Sequence, residues 1–594
     1  MRLACVFTLI LALMNLNAKP VVQYVVSMPE PHTHYFEVEL KVTNPSGKQT
    51  ELIMPVWTPG SYLVREFSRN VEGVQAYIQT ETGLQPVNCR KSAKNRWSVE
   101  HGKRNDFVVK YRVYAFEHSV RTSFLDADHG YINPASVFMV PEGTDEDSYE
   151  ILIQPYAGWK KVVTALDQPQ PFKLVTRNLD QFLDSPIEIG NPDMFEFTAA
   201  GITHTVAIHG GGNYNKSQMQ VDMAKCVEVC TNVFGSNPNS KYVFILHNTE
   251  STSGGLEHAE STTLMMPRAA FDTKAGYQRF LSLVIHEYFH LWNVKRLRPE
   301  ALGPFNYEAE NYTDHLWLAE GFTAYYDEYL LRIAGFISDE EYIKRVEDNI
   351  NSVETIWGNK VQPVAESSHD AWIKYYRRDE NSNNSQVSYY SKGYNIALCL
   401  DAILRAESNN AHSLNTFMAE MYKDVYLKEE KGYTQEDIMK HLKALAPTYD
   451  FEAFMNQYVN NTVTLPYNDI LSRIGLQYIQ TQATKPFLGA SVEEANNMFK
   501  VKSVKRASTA ETIGLNVNDE ILAINNQRIK KDWSTSLDGV FQTGQDLELL
   551  ISRNGLIRTL KGKWQKDPLP RIELKKLEKP SPTQTALFNA WLNK

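Results

Sequence analysis

His286-Glu287-Tyr288-Phe289-His290 lies inside the apolar run from Tyr277 to Trp292. Residues four apart share one face of a helix, so His286 and His290 project side by side. Two imidazoles held this way are a ready pair of ligands for one Zn²⁺. Glu287, about 100° further round, reaches a water on that metal. This set of residues is the equipment of metal-assisted hydrolysis. It also decides how the middle of the chain is read: as helical, and built around a metal.

A catalytic site of this kind needs a third protein ligand and one open position. Two glutamates compete for the role. Glu310 follows His290 with 19 residues between. Its surroundings, Tyr307-Glu308-Ala309-Glu310-Asn311-Tyr312-Thr313, read as a loop leading to a helix cap at Thr313 or Asp314. Glu320 sits instead in Leu316-Trp317-Leu318-Ala319-Glu320-Gly321-Phe322-Thr323-Ala324-Tyr325-Tyr326, a strongly apolar helix. A lone carboxylate there is costly to bury without a partner, and a metal supplies one. Glu320 is therefore favoured over the alternative of a surface-facing or arginine-paired glutamate.

Working outward, the 594 residues are too many for one ordinary core and predict two to four domains. With 43% hydrophobic and 22% charged residues the composition is globular. A net charge of −9 argues against a nucleic-acid partner, and no basic cluster speaks for an anionic membrane surface. Arg2 followed by the apolar run Leu3 to Met14 reads as a signal peptide over 1–18, too short to span a bilayer. A periplasmic or secreted protein is expected, with no integral membrane segment after signal removal. Cys89, Cys226, Cys230 and Cys399 are too sparse for a disulfide scaffold and are read as packing residues, with room for one unassigned disulfide in an exported protein.

The stretch 19–205 is strand-like: Phe36, Val38, Leu40 and Val42 alternate with polar neighbours, and Thr58-Pro59-Gly60-Ser61 is a turn signal. It predicts an N-terminal antiparallel β-sandwich. Beyond Gly210-Gly211-Gly212 helices are expected at Lys216–Val233, Tyr277–Leu291, Leu316–Ala334, Asp339–Ile356 and Gly393–Ala406. These give a mainly helical catalytic domain over 206–465, with a small sheet at its edge. A mixed module over 466–567 and a Pro-dotted tail over 568–594 complete a multidomain α+β chain. The tail ends in an apolar stretch, Ala586 to Leu592, suited to docking as a short helix.

Leu316 to Tyr326 resembles the third-ligand helix of aminopeptidase N-like gluzincins, in which the Glu before Gly binds zinc. His286 to His290, followed by Leu291-Trp292-Asn293-Val294-Lys295-Arg296-Leu297-Arg298-Pro299, is similar to the glycyl aminopeptidase family, the PDZ-containing branch. Trp57 to Phe67 is similar to that family's N-terminal β domain. The resemblance implies one Zn²⁺ per chain on His286, His290 and Glu320, with Glu287 as general base.

Two further segments match. Gly254-Gly255-Leu256-Glu257-His258 resembles the strand that binds the substrate backbone in related aminopeptidases. Glycines let a peptide approach an edge strand and add to it. Glu257 would then pair with the substrate's α-ammonium. His258 stands where the better-known motif has Asn, and nothing is carried over to it. Tyr389-Tyr390-Ser391-Lys392-Gly393 resembles the segment that supplies a transition-state tyrosine, Tyr390 by motif position with Tyr389 its rival. Among 31 tyrosines, composition alone would make either one ordinary packing. The cluster Lys295, Arg296 and Arg298 could support the site from behind its ligands or be merely solvated charge, and solvated charge is favoured.

Phe487-Leu488-Gly489-Ala490 and Gly514-Leu515-Asn516-Val517-Asn518-Asp519-Glu520-Ile521-Leu522-Ala523-Ile524-Asn525 resemble a PDZ domain, with Asn518 where Gly is usual. Such a module binds a peptide carboxyl terminus by strand addition. The expected function is an exported zinc aminopeptidase acting on peptides, and the resemblance alone implies preference for N-terminal Gly or Ala. The alternatives are a PDZ-targeted zinc endopeptidase and a non-catalytic peptide-binding scaffold.

Overall fold

The computed structural model describes residues 21–103, 105–496, 498–530 and 540–592; the expected signal peptide over 1–18 lies outside them. The chain forms two compact units, Met1–Arg296 with Leu302–Asn311, and Leu297–Ala301 with Tyr312–Lys594. The division falls within the stretch 206–465.

In the first unit, strands β1 (Val21–Ser27), β2 (Tyr35–Thr43) and β3 (Phe107–Tyr114) share an eight-stranded sheet. The alternation in β2 is realised: Phe36, Val38, Leu40 and Val42 are buried while their neighbours are not. Smaller sheets, one holding β4 (Gly130–Ile132), cover its inner face and share one core with it. The pairing departs from a purely antiparallel sandwich at one place. There β5 (Tyr149–Gln154) runs parallel to β1, with Tyr24 opposite Ile151. A parallel neighbour requires a long crossover, which residues 28–148 supply.

The short strand β6 (Ile187–Gly190), paired with β4, leads into a five-stranded sheet. That sheet is built from β7 (Asp193–Ala199), β8 (Ile202–His209), β9 (Lys241–Thr249), β10 (Gly254–Glu257) and β11 (Ser261–Pro267). Strand β10 is outermost and antiparallel to β11, Gly254 opposite Met265 and Glu257 opposite Thr262. Helices α1 (Lys216–Phe234) and α2 (Lys274–Phe289) are started by Asn215 and Thr273, whose side chains accept from Gln218 N and Gly276 N. Cys226 and Cys230 are buried in α1, and no disulfide occurs among the described residues.

The second unit is helical at its centre. The predicted helix Leu316–Ala334 is interrupted at Glu320, giving α3 (Leu316–Ala319) and α4 (Gly321–Ile333). Helix α5 (Asp339–Glu354) opens on a capping box of Ser338 and Glu341. Helix α6 (Tyr389–Glu407) begins four residues before the predicted start, because Ser388 caps it by accepting from Ser391 N. A Cβ added to Gly321 would collide with Gly393 Cα, and one on Gly393 with Trp317 O. Two glycines thus allow the α3–α4 segment and α6 to cross at backbone contact.

Helix α7 (Pro582–Trp591) buries Trp591 completely, and the Trp591 indole N–H donates to Tyr325 OH at 3.2 Å. Tyr325 in turn donates to Asp401 at 2.9 Å, tying α7 to α4 and α6. Trp591→Ala is expected to destabilise the protein by about 3–5 kcal/mol, read as a lower midpoint in urea or heat. An unchanged midpoint would show that α7 is not part of this core.

The PDZ module is an antiparallel sheet containing Ala490–Ala495, Met498–Val504, Glu520–Ile524, Asp546–Arg553 and Leu556–Lys563, around a core of Val501, Leu549 and Ile551. Asn518 has φ +72°, a left-handed conformation that Asn tolerates better than other non-glycine residues, so the substitution for Gly keeps the turn. No helix among the described residues is long and apolar enough to cross a membrane.

Candidate active site

In the first unit, His286 occupies the last turn of α2 and His290 its C-cap, where φ −61° and ψ −18° keep it helical. Their rings stand at 84°, with Nε2 atoms 3.3 Å apart. His290 Nδ1 lies 2.8 Å from Asn293 O; a carbonyl can only accept, so Nδ1 carries the proton and Nε2 presents a lone pair. Two nitrogens bound tetrahedrally to zinc at about 2.0–2.1 Å would be about 3.3–3.4 Å apart. The pair therefore fits such an ion without rearrangement.

Between the two histidines, Tyr288 anchors the helix to the sheet. Its hydroxyl accepts from Asn237 Nδ2 at 2.6 Å and lies 2.9 Å from His204 Nε2. Glu287 is 4% exposed. A Cβ on Gly255 would run into the Glu287 carboxylate, so the glycine of β10 is what lets that carboxylate reach the strand. Gly255→Ala is expected to displace Glu287 and lower kcat by about 10²-fold, the effect of misplacing a reacting group by roughly 1 Å. Steady-state kinetics on a glycyl peptide checks this, and wild-type kcat would contradict it.

Glu257, also 4% exposed, closes the same cluster: one ligand-type atom each of Glu257, Glu287 and His290 lie within 4.8 Å of one another. One Glu257 oxygen has no hydrogen-bond partner among the described residues. Behind it is Gly60, at φ +89°, where a Cβ would sit 2.5 Å from both carboxylate oxygens. The turn Thr58–Ser61 was legible only as a turn; its role as a wall behind Glu257 was not.

A second support was also missed. Asp184 accepts from Lys295 Nζ at 2.7 Å and from Ala259 N at 2.8 Å, and lies 3.0 Å from His258 Nδ1. Burial alone would raise the Asp184 carboxyl; Lys295 and His258 pull it down to about 2. These bonds fix the end of β10 just past Glu257. The Lys295 side chain is only 4% exposed, and Arg296 donates to Leu291 O and Asn239 Oδ1 at 2.7 and 2.6 Å. The reading of Lys295 and Arg296 as solvated charge is corrected: backbone carbonyls and Asp184 hold them inside the fold.

In the second unit, Glu320 is 1% exposed at the junction of α3 and α4. The glycine crossing brings the first turn of α6 beside it. Burial, and then the Glu320 charge, hold the phenols of Tyr390 and Tyr433 well above their ordinary value, so both remain O–H donors. Tyr390 is half-buried, whereas Tyr389 is fully buried with its ring 4.7 Å from that of Tyr375. Tyr433, which enters on the bridge between Pro299 and Tyr433, carries no motif and was not anticipated. Glu310 lies in irregular chain of the first unit, half-buried, and belongs to no cluster of three metal-ligating side chains among the described residues.

Residues 23–191 match the Peptidase M61 N-terminal domain, 279–396 the M61 glycyl aminopeptidase domain, and 478–534 a PDZ domain. The crystal structure of an aminopeptidase N family protein from Idiomarina loihiensis is 30% identical, covering 96% of this chain and 100% of its own, with a TM-score of 0.88. A substrate-bound mutant of an M1 zinc metallopeptidase from Deinococcus radiodurans is 13% identical over 75% of this chain and 95% of its own, with a TM-score of 0.47. No curated protein sequence matches the chain. With a near full-length relative at that identity and two matched domains, the chain belongs to the M61 glycyl aminopeptidase family.

Proposed function

We propose that the protein removes the N-terminal residue of peptides, using one Zn²⁺ held by His286, His290 and Glu320. The observation that carries the reading is the buried Glu257 carboxylate, grouped with Glu287 and His290 and keeping one oxygen without a hydrogen bond among the described residues. A buried carboxylate of that kind recognises a cation, and the α-ammonium of a free N-terminus is the cation a peptide offers. The outermost strand β10 supports substrate binding by main-chain pairing through Gly254, Gly255 and Leu256.

The metal, when bound, supplies Lewis acidity and lowers the pKa of a coordinated water toward about 7. Glu287 accepts a proton from the attacking water as its oxygen bonds to the first peptide carbonyl carbon. Tyr390 donates to the developing oxyanion, a contribution typically worth about 2.7–4 kcal/mol. As the C–N bond breaks, Glu287 delivers that proton to the leaving amine. Preference for N-terminal Gly or Ala is part of the proposal, supported by membership of the glycyl aminopeptidase family.

Export to the periplasm or medium belongs to the same proposal, supported by Arg2 and the apolar run after it. So does capture of a peptide carboxyl terminus by the PDZ module, supported by Gly489, whose φ of +76° and close approach to Ser508 disfavour a side chain at that position. The test compares free and N-acetylated glycyl peptides. Cleavage of the free peptides alone is expected; equal cleavage of both would defeat the aminopeptidase reading in favour of an endopeptidase.

A further inference from the structure

Five residues widely separated in sequence converge in the first unit where β4, β6, β8 and β9 meet. Glu188, on β6 and 1% exposed, is the centre. Its Oε1 lies 2.9 Å from His129 Nδ1 and its Oε2 2.9 Å from His247 Nε2. The His209 ring, half-buried at the end of β8, stacks on His129 with centroids 3.5 Å apart and planes at 11°. His118 is exposed at the rim, its ring 5.8 Å from that of His247. Ligand-type atoms of His129, Glu188 and His209 all lie within 4.8 Å of one another.

We infer that His129, Glu188 and His209 form a second metal site that takes one divalent transition-metal ion of the zinc class, with His247 orienting the carboxylate and His118 at the entry. The donor set, two imidazoles and one carboxylate, suits zinc, cobalt or nickel rather than calcium or magnesium. An ion shared by the three needs the gap between His129 Nδ1 and Glu188 Oε1 to open from 2.9 Å to about 3.3 Å, and the stacked, half-buried His209 ring to turn so that its lone pair converges with that of His129. The other carboxylate oxygen is already fixed. A carboxylate accepts, so His247 donates through Nε2, the arrangement that orients metal-bound carboxylates elsewhere. This leaves the buried Nδ1 of His247 as a lone pair with no hydrogen-bond partner among the described residues.

The surroundings agree. Phe124 packs its ring 4.7 Å from His118 and 5.3 Å from His129, the apolar jacket that strengthens a metal–ligand contact.

The test is zinc content of the full chain after loading with Zn²⁺ and dialysis into metal-free buffer. Two equivalents are expected in the unmutated protein, one in His290→Gln and one in His209→Gln. The last should hydrolyse glycyl peptides at the wild-type rate. One equivalent in the unmutated protein with none in His290→Gln would overturn the inference, as would two in His209→Gln. Should His209→Gln fail to fold, the first two measurements decide the matter alone.

Discussion

Glu287→Gln is expected to lower kcat/KM on a glycyl peptide by about 10³–10⁴-fold while zinc content stays at the wild-type value. General base catalysis contributes typically 10²–10⁴-fold, and here one carboxylate both accepts the water's proton and returns it to the amine. Glutamine keeps the shape of the side chain against Gly255, so the local packing survives and the loss is chemical. Undiminished turnover would remove Glu287 from the role of base. Loss of zinc along with activity would instead make it part of the metal's support.

The second large effect separates two glutamates. Glu320→Ala is expected to weaken zinc retention at least about 10²-fold, beyond what loss of an outer hydrogen-bonding partner costs, and Glu310→Ala to retain the metal. Glu320 is 1% exposed inside an apolar helix pair, where its negative charge reaches the phenols of Tyr390 and Tyr433. A carboxylate so placed needs a cation. Metal analysis of the two purified variants decides; zinc lost from Glu310→Ala and kept by Glu320→Ala would reverse the ligand assignment.

Local chemistry was the legible part. His286 and His290 announce themselves because four residues make one helical turn. Glu320 stands out because a charge in Leu316–Tyr326 has nowhere comfortable to go. The alternation in Phe36–Val42 gave the sheet directly. What sequence could not convey is contact between distant segments. Gly60 reads as a turn glycine until the fold sets it behind Glu257. Gly321 and Gly393 read as motif letters until their helices are found to cross there. Lys295 and Arg296 look solvated because composition does not show the Asp184 and Leu291 oxygens waiting for them. His118, His129, His209 and His247 are each an isolated histidine in the chain, and only the meeting of strands makes them a group. The parallel β1–β5 pair is of the same kind: strand propensity has no direction, and the crossover sets it.

The crossing at Gly321 and Gly393 has a bearing on how this enzyme can diversify. With no side chain between them, the segment carrying Glu320 and the helix carrying Tyr390 have no slack along their contact, so neither slides without dragging the other. The Glu320 carboxylate and the Tyr390 phenol are geared together. A side chain added at either glycine is then felt by both partners at once, a constraint that segments outside the crossing do not carry.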